Sequence, residues 1–535
     1  FAPGSARSLT GKMGTRPFKN TRVTSSKHFL HASDFPMPEG ISDFPHHTQI
    51  LSYLQSYIDH FGLRERFQLN TRVVHLGKDG AAWRVVTETA TGGRQETMFD
   101  AVVVSSGPHQ TPRLQVSQDP LYGRYQGKLL HAADYKEGVD VEPGETVLVV
   151  GTGESAADIV DEYVNAGAKL YWVSRRGQWF ADRNIGPYPA DHFTSFGVRA
   201  LAGRFMNMEY LIRRFVIAEF INLAWGRGGH GIAAWVPDAP YLHQFVNKSR
   251  DGVLDVYSGK VTPKNAPVGI EGKFVYFNED EPPIEVDRIV LATGYDAQWP
   301  FLDHPPSALF KRVFHPEDLT LAFVGFARPI LGSIPSLSEL QSRWLAHVWA
   351  GQVTVPSRAR RAVALLWDRR AHRRSITDSS RLGVLVDHEV YATELASFVK
   401  AQVHWLKLLL RHPGALMMVL ISPWIAFKYH LNDPDPAKRQ AALQNIRREL
   451  PEIRNPVYRL VLYVALFLVL VVVTIALGLW YLPIKVVAIL AAAFILVVVC
   501  ILRLTERAPT QSQAISGAGQ GMEPDMPELS MSKSM

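Results

Sequence analysis

An α/β chain is predicted by three observations. A short apolar strand at Val147–Val150 runs into Gly151, Thr152, Gly153, Glu154, Ser155 and Ala156, and then into a helical stretch from Ala157 to Asn165. Three apolar runs end at glycine: Val102 to Gly107, Ile289 to Gly294 and Leu319 to Gly325. Two long apolar runs, Arg459 to Trp480 and Val486 to Leu502, lie near the carboxy terminus. Together these predict two nested dinucleotide-binding (Rossmann-like) domains, one of them discontinuous, with a C-terminal helical region and a membrane anchor.

The strand, glycine turn and helix carry the most information. Gly151 allows the tight turn, Gly153 lets the backbone approach a pyrophosphate, and Ala156 leaves room for helix–strand packing. The first helical N–H groups point at the phosphates. Glycine turns also join strands to helices for purely structural reasons, so the next strand matters. It runs from Lys169 to Val173 and ends in Ser174, Arg175, Arg176 and Gly177. An NAD site would usually place an acid there, whereas a pair of arginines favours the 2′-phosphate of NADP. A solvated basic loop is the plain alternative.

Taken in order, residues 1–26 are basic and Gly/Ser-rich and read as a loop or arm. His47 to Phe61 carries a helical apolar stripe, followed by strand-like segments at Phe67–Leu76, Ala82–Thr89 and Met98–Ser105. The last suits a buried strand whose carboxyl end faces a cofactor crevice. Phe196 to Gly229 is apolar and arginine-rich, as a helical insertion would be. The run Leu319–Gly325 is followed by Arg328, Gly332 and a helix carrying Glu339, Gln341 and Arg343. The implied division is 1–142 for part of the first domain, 143–275 for the NADP-binding domain, and 276–355 for a return to the first. A helical, membrane-proximal region (356–456), a transmembrane hairpin (457–503) and a disordered tail (504–535) complete it.

The chain has 535 residues, is 47% hydrophobic and carries a net charge of +7, too modest for its size to imply nucleic acid. Its single cysteine, Cys500, excludes a disulfide framework, a thiolate metal site and a dithiol redox pair within the chain. It begins with Phe1 and shows no charged-then-apolar leader, which predicts a processed or incomplete amino terminus. Nothing in the residues addresses oligomeric state.

Seven arginines between 357 and 375 (Arg358, Arg360, Arg361, Arg369, Arg370, Arg373 and Arg374) read as a solvated helix face near an anionic membrane surface. Trp405 to Leu431, broken by Pro413 and Pro423, suits either the membrane interface or a core helix. The two long apolar runs flank Leu482-Pro483-Ile484-Lys485. Arg447, Arg448, Arg454 and Arg459 on one side and Arg503 and Arg507 on the other predict a tight hairpin with both ends in the cytosol.

Tyr125-Gln-Gly127-Lys-Leu-Leu-His131-Ala-Ala-Asp-Tyr135-Lys136 resembles the signature of flavin-containing monooxygenases, with Tyr125 in place of the usual Phe. Related Baeyer–Villiger enzymes look the same but carry Trp where this chain has Tyr135. The resemblance extends from Lys27-Asp34-Phe35-Pro36 through Ala292-Thr293-Gly294-Tyr295 to Glu339–Trp344, and weakly beyond. It implies a membrane-bound, dimethylaniline monooxygenase-like enzyme with FAD and NADP(H), its catalytic part cytosolic and, in a eukaryote, at the endoplasmic reticulum. In that family dioxygen adds to the reduced flavin, and the hydroperoxide oxygenates a soft nitrogen or sulfur of a small lipophilic amine or sulfide.

Through the resemblance, Gly151, Gly153, Ser155 and Ala156 hold the nicotinamide dinucleotide. Ser174, Arg175 and Arg176 border its 2′-phosphate, Thr293 and Gly294 lie where the domains connect, and Gln341 and Arg343 fall near the flavin. No protein side chain is assigned a catalytic step, because the flavin carries the chemistry. The sequence departs from the family twice. The family's opening Gly-x-Gly-x-x-Gly unit for FAD is absent before Lys27, and Val23-Thr24-Ser25-Ser26-Lys27 lacks the usual Asn, leaving Thr24 or Ser25 to support the flavin.

Overall fold

The computed structural model describes residues 18 and 20–452, except 110, 114–119, 136–140, 186–187, 194–231, 233, 236, 238–244, 250, 297, 376–384, 413–415, 417–418, 420–424 and 434. The chain divides into two units, Phe1–Arg183 with Thr194–Ile453, and Asn184–Phe193 with Arg454–Met535. In the described part of the second, Asn184–Ile185 pairs antiparallel with Tyr188–Pro189 before a 3-10 turn at Ala190–Phe193.

The first unit is built on a five-stranded parallel sheet. In spatial order its strands are Val261–Lys264, Lys169–Val173, Thr146–Val150, Arg288–Leu291 and Lys128–His131. Its middle strands are apolar without alternation, as burial on both faces requires. Val147 and Val149 pack with Ala156, Ile159, Val160 and Tyr163 of the helix Glu154–Asn165. Leu148 and Val150 pack on the other face with Ile289, Leu291, Val275 and Val286. Strand Arg288–Leu291 lies inside this sheet, so the chain leaves it after residue 291 rather than near 275.

Thr71–Asp79, Ala82–Thr89 and Arg94–Phe99 form an antiparallel meander. The stretch expected as one strand from Met98 to Ser105 is therefore two. Arg94–Phe99 closes the meander, and Val102–Val104 pairs in parallel with Leu321–Phe323. Val102–Val104 has this single strand partner among the described residues, and Val103 remains 38% exposed, so the run is less enclosed than its composition suggested.

The chain crosses between this pair and the five-stranded sheet twice. The two crossings run side by side, Thr111–Pro112 pairing antiparallel with Tyr295–Asp296. Arg113 donates from Nε to Asp296 Oδ1 at 2.7 Å, and Arg113 N–H donates to Gly294 O at 3.0 Å.

Helix Ile334–Trp349 packs against His388–Phe398. The arginine-rich segment is a helix, Arg358–Ser375, but its faces are not sorted as expected. Arg361 is buried, donating to Pro316 O and Pro356 O, while Val363, Leu366 and Trp367 are exposed. Trp405–Leu431 divides as well. Helix Trp405–Arg411 exposes Leu406, Leu409 and Leu410, whereas Ile425, Phe427 and Lys428 are in the core. Among the described residues no helix is long and apolar enough to cross a membrane. The hairpin at 457–503, the insertion at Phe196–Gly229 and Lys136 lie outside the described residues.

Candidate dinucleotide site

Two groups of side chains gather at strand carboxyl ends. The first surrounds the turn between Thr146–Val150 and Glu154–Asn165. Gly151 holds φ at +119°, and a Cβ there would lie 2.4 Å from the Ala292 carbonyl oxygen, so glycine is required on both counts. Gly153 is exposed, and a Cβ on it would meet nothing within 4 Å. Its open side leaves the first helical N–H groups accessible to a ligand. Ser155 is half-buried in the first turn, and Ala156 is fully buried against the sheet.

Ser174 follows the adjacent strand, with its backbone N–H donating to Lys264 O at 3.1 Å. Arg175 and Arg176 after it are exposed. The segment 245–248 covers the turn from the other side: Asn247 Nδ2 donates to Thr152 O at 3.1 Å, and Gln178 Nε2 donates to Phe245 O at 2.7 Å.

A nicotinamide dinucleotide fits here on a direct observation. Ser174 Oγ and Asn247 Oδ1 are buried, in residues 2% and 0% exposed, yet neither has a hydrogen-bond partner among the described residues. Buried polar atoms without partners are uncommon and costly, and a ribose or phosphate would satisfy both. The electrostatics on the helix are acidic: burial pushes the Asp158 carboxyl up to about 7, against the lowering effect of Arg183.

The second group lies about the helix Ile334–Trp349. Gln341 is fully buried; its Oε1 accepts from Gly325 N–H at 3.0 Å, and its Nε2 donates to the Tyr391 hydroxyl at 2.9 Å. Arg343 donates to Tyr429 O at 3.2 Å and faces Asp433 at 3.6 Å. Ser25 Oγ donates to Gly332 O at 2.8 Å, and Thr24 is half-buried beside it. Ser33, Glu339 and His430 form a hydrogen-bonded cluster, with Glu339 on the same helix. Hydrogen bonds to Ser33 and His430 hold the Glu339 carboxyl below its usual range despite burial. The side chains that the resemblance places near the flavin are thus engaged with the chain itself. No second strand–Gly-x-Gly-x-x-Gly–helix unit lies among the described residues. These side chains alone do not make a flavin cradle.

The signature residues belong to the five-stranded sheet, its first helix and the crossing strands. The Tyr125 hydroxyl donates to Val286 O at 2.8 Å, and a Cβ on Gly127 would lie 2.8 Å from Asp287 O, so the motif's start is locked onto the sheet. His131 ends its strand 4% exposed, its Nδ1 accepting from Ala133 N–H. Its ring meets Tyr295 edge-on at 5.5 Å. Thr293 donates to Arg113 O at 3.4 Å. The Tyr135 hydroxyl donates to Glu162 Oε2 at 2.7 Å. Asn247 and Gln178, which meet Thr152 at the turn, were not singled out by motif.

A parallel sheet with a glycine turn at its carboxyl edge and unpartnered polar atoms around it is the arrangement of a dinucleotide-binding domain. Comparison with known proteins narrows the class. The model of the flavin-binding monooxygenase-like family (FMO-like) matches residues 11–494. Flavin-containing monooxygenase 5 of Rattus norvegicus is 28% identical over 463 residues, covering 82% of this chain and 83% of that protein. Dimethylaniline monooxygenase [N-oxide-forming] 2 of Mus musculus is 29% identical over 456 residues, covering 82% and 84%. Among solved structures, S-allyl-L-cysteine S-oxygenase of Allium sativum shares the fold at a TM-score of 0.51 and 19% identity, covering 82% of this chain and 84% of that one. Cyclohexanone monooxygenase of Rhodococcus sp. Phi1, bound to NADP+, does so at 0.51 and 16%, covering 71% and 88%. The chain belongs to the FMO-like flavin-binding monooxygenase family. It is a flavoprotein of the monooxygenase class.

Proposed function

We propose that this enzyme uses NADPH and dioxygen to oxygenate the soft nitrogen or sulfur of small lipophilic amines and sulfides. The observation that carries the NADPH part is the unpartnered Ser174 Oγ and Asn247 Oδ1 beside the glycine turn, with Arg175 and Arg176 exposed at the neighbouring strand end. The flavin, when bound, supplies oxygen activation, and the chain's own residues bind and orient the nucleotide and shape the crevice. The N/S preference is supported by the N-oxide-forming name of one relative and, mildly, by Tyr135 standing where the related Baeyer–Villiger enzymes carry Trp.

The test is NADPH oxidation with oxygen uptake, offering the purified protein a tertiary amine, a thioether and a cyclic ketone in parallel. N-oxide or sulfoxide supports the reading, ester from the ketone supports Baeyer–Villiger oxygenation instead, and NADPH oxidation without oxygen uptake overturns both. A protein that binds nucleotide without turnover is the remaining outcome.

We further infer attachment to a membrane through Arg459–Leu502, with the catalytic part cytosolic, at the endoplasmic reticulum in a eukaryote. Lys485 beside Trp480 and Tyr481 suits the far interface of a hairpin. A tag placed after Arg507 is then inaccessible from the lumenal side of intact vesicles. Lumenal labelling of that tag means a single crossing.

A further inference from the structure

We propose that Arg328 is the cation that receives the pyrophosphate of the nicotinamide dinucleotide, presented to the glycine turn from outside the five-stranded sheet. The inference rests on the nucleotide reading above and adds to it a residue, a ligand group and a reason for the charge.

The turn has an electrostatic difficulty. Its helix begins with Glu154, whose Oε1 accepts from Lys248 N–H at 3.2 Å and whose Oε2 is buried without a partner among the described residues. A pyrophosphate arriving at this helix end would meet a carboxylate already there. The helix end itself offers only about half a positive charge. Arg175 and Arg176 follow the adjacent strand, where the adenosine ribose and its 2′-phosphate belong. A further cation is needed, and it must approach from the side of Glu154.

Arg328 meets that requirement. It lies on the two-residue strand Arg328–Pro329, which pairs with Leu385–Val386 and not with the five-stranded sheet. Its guanidinium sits 4.0 Å over the ring of Phe245. It has no hydrogen-bond acceptor among the described residues, and the charge of Glu154 favours its protonated form against burial. The stack is tied to the turn: Phe245 O accepts from Gln178 Nε2 at 2.7 Å, and Thr152 Oγ1 donates to Gln178 Oε1 at 3.4 Å. Asn247, two residues on, holds Thr152 O. A guanidinium with one face on an aromatic ring keeps its donor edge fixed, the geometry suited to two phosphate oxygens. Before the nucleotide binds, Arg328 balances Glu154; once it binds, the pyrophosphate becomes the acceptor the guanidinium lacks.

The experiment is equilibrium titration of the purified full chain with NADPH and with NADH, and competition by inorganic pyrophosphate. Arg328→Gln should weaken both nucleotides by a similar factor, about tenfold or more, and abolish competition by pyrophosphate. Arg328→Lys should recover part of the loss, and Glu154→Gln should tighten all three ligands. Unchanged affinity for both nucleotides in Arg328→Gln overturns the proposal, as does a loss confined to NADPH, which would assign Arg328 to the 2′-phosphate. If Arg328→Gln does not fold, Phe245→Leu removes the ring and keeps the charge; a several-fold loss for both nucleotides supports the proposal and no loss overturns it. Failure of the wild-type chain to bind either nucleotide would instead sink the NADPH reading itself.

Discussion

Gly151 and Ala292 stand in direct backbone contact: a Cβ on the glycine would come within 2.4 Å of the alanine's carbonyl oxygen. The Ala292 N–H in turn donates to Val150 O at 2.9 Å. The nucleotide turn and the Ala-Thr-Gly segment are therefore packed as one piece. Gly151→Ala should destabilise the protein by at least about 1–3 kcal/mol through backbone strain alone, with the clash added. Gly153→Ala has open space and should fold normally while losing nucleotide affinity. Urea unfolding of both variants checks this; equal stability of the two would show that the close approach is not limiting.

Replacing Arg175 and Arg176 together with glutamine should weaken NADPH and leave NADH nearly unchanged. Charge-assisted contacts contribute about 1.5–3 kcal/mol each, and the exposure of these side chains places the effect at or below the low end. Parallel titrations with the two nucleotides decide it, and equal losses would remove these residues from the 2′-phosphate.

Lys428 is fully buried, and burial pushes its ammonium down to about 7 from an ordinary 10.5, with Glu389 opposing the fall. Between pH 7 and 10.5 the unfolded chain therefore holds more protons at this position than the folded one. The folded state is penalised near pH 7 and relieved as pH rises. Lys428→Met should raise stability near pH 7, on the order of a few kcal/mol at ~1.4 kcal/mol per pKa unit. The gain should shrink as pH approaches 10. Denaturation midpoints at both ends of that range test the sign, and a gain independent of pH would mean that charge burial is not its source.

Tyr125→Phe deletes the hydroxyl that serves the buried Val286 carbonyl at 2.8 Å. A loss of about 1 kcal/mol is expected, because the carbonyl loses its donor while the ring packing survives. Thermal unfolding measures it, and no loss would show that another donor serves Val286.

What could be read from the sequence was local. The glycine turn, its helix and the apolar strands on either side follow from a few adjacent residues whose pattern admits one geometry. The partners of those residues could not be read. Asn247 reaches Thr152 across 95 positions, and nothing near Asn247 in the chain marks it. Gln341 and Arg343 were placed by resemblance beside a flavin, yet each is bonded to residues 16 to 87 positions away. The run from Met98 to Ser105 looked like one strand because hydrophobicity does not record where a sheet ends. The exposed Trp367 and buried Arg361 likewise show that a count of arginines says little about which face of a helix meets water.

The pairing of Thr111–Pro112 with Tyr295–Asp296, clasped by Arg113 and Asp296, has a mechanical consequence. Two separate linkers would let the sheets they join swing apart in any direction. Laced together, they act as a single axle, stiff to bending and compliant mainly in torsion. Any relative motion of the two sheets would then be a twist about one line, and a crosslink across that line should stop it.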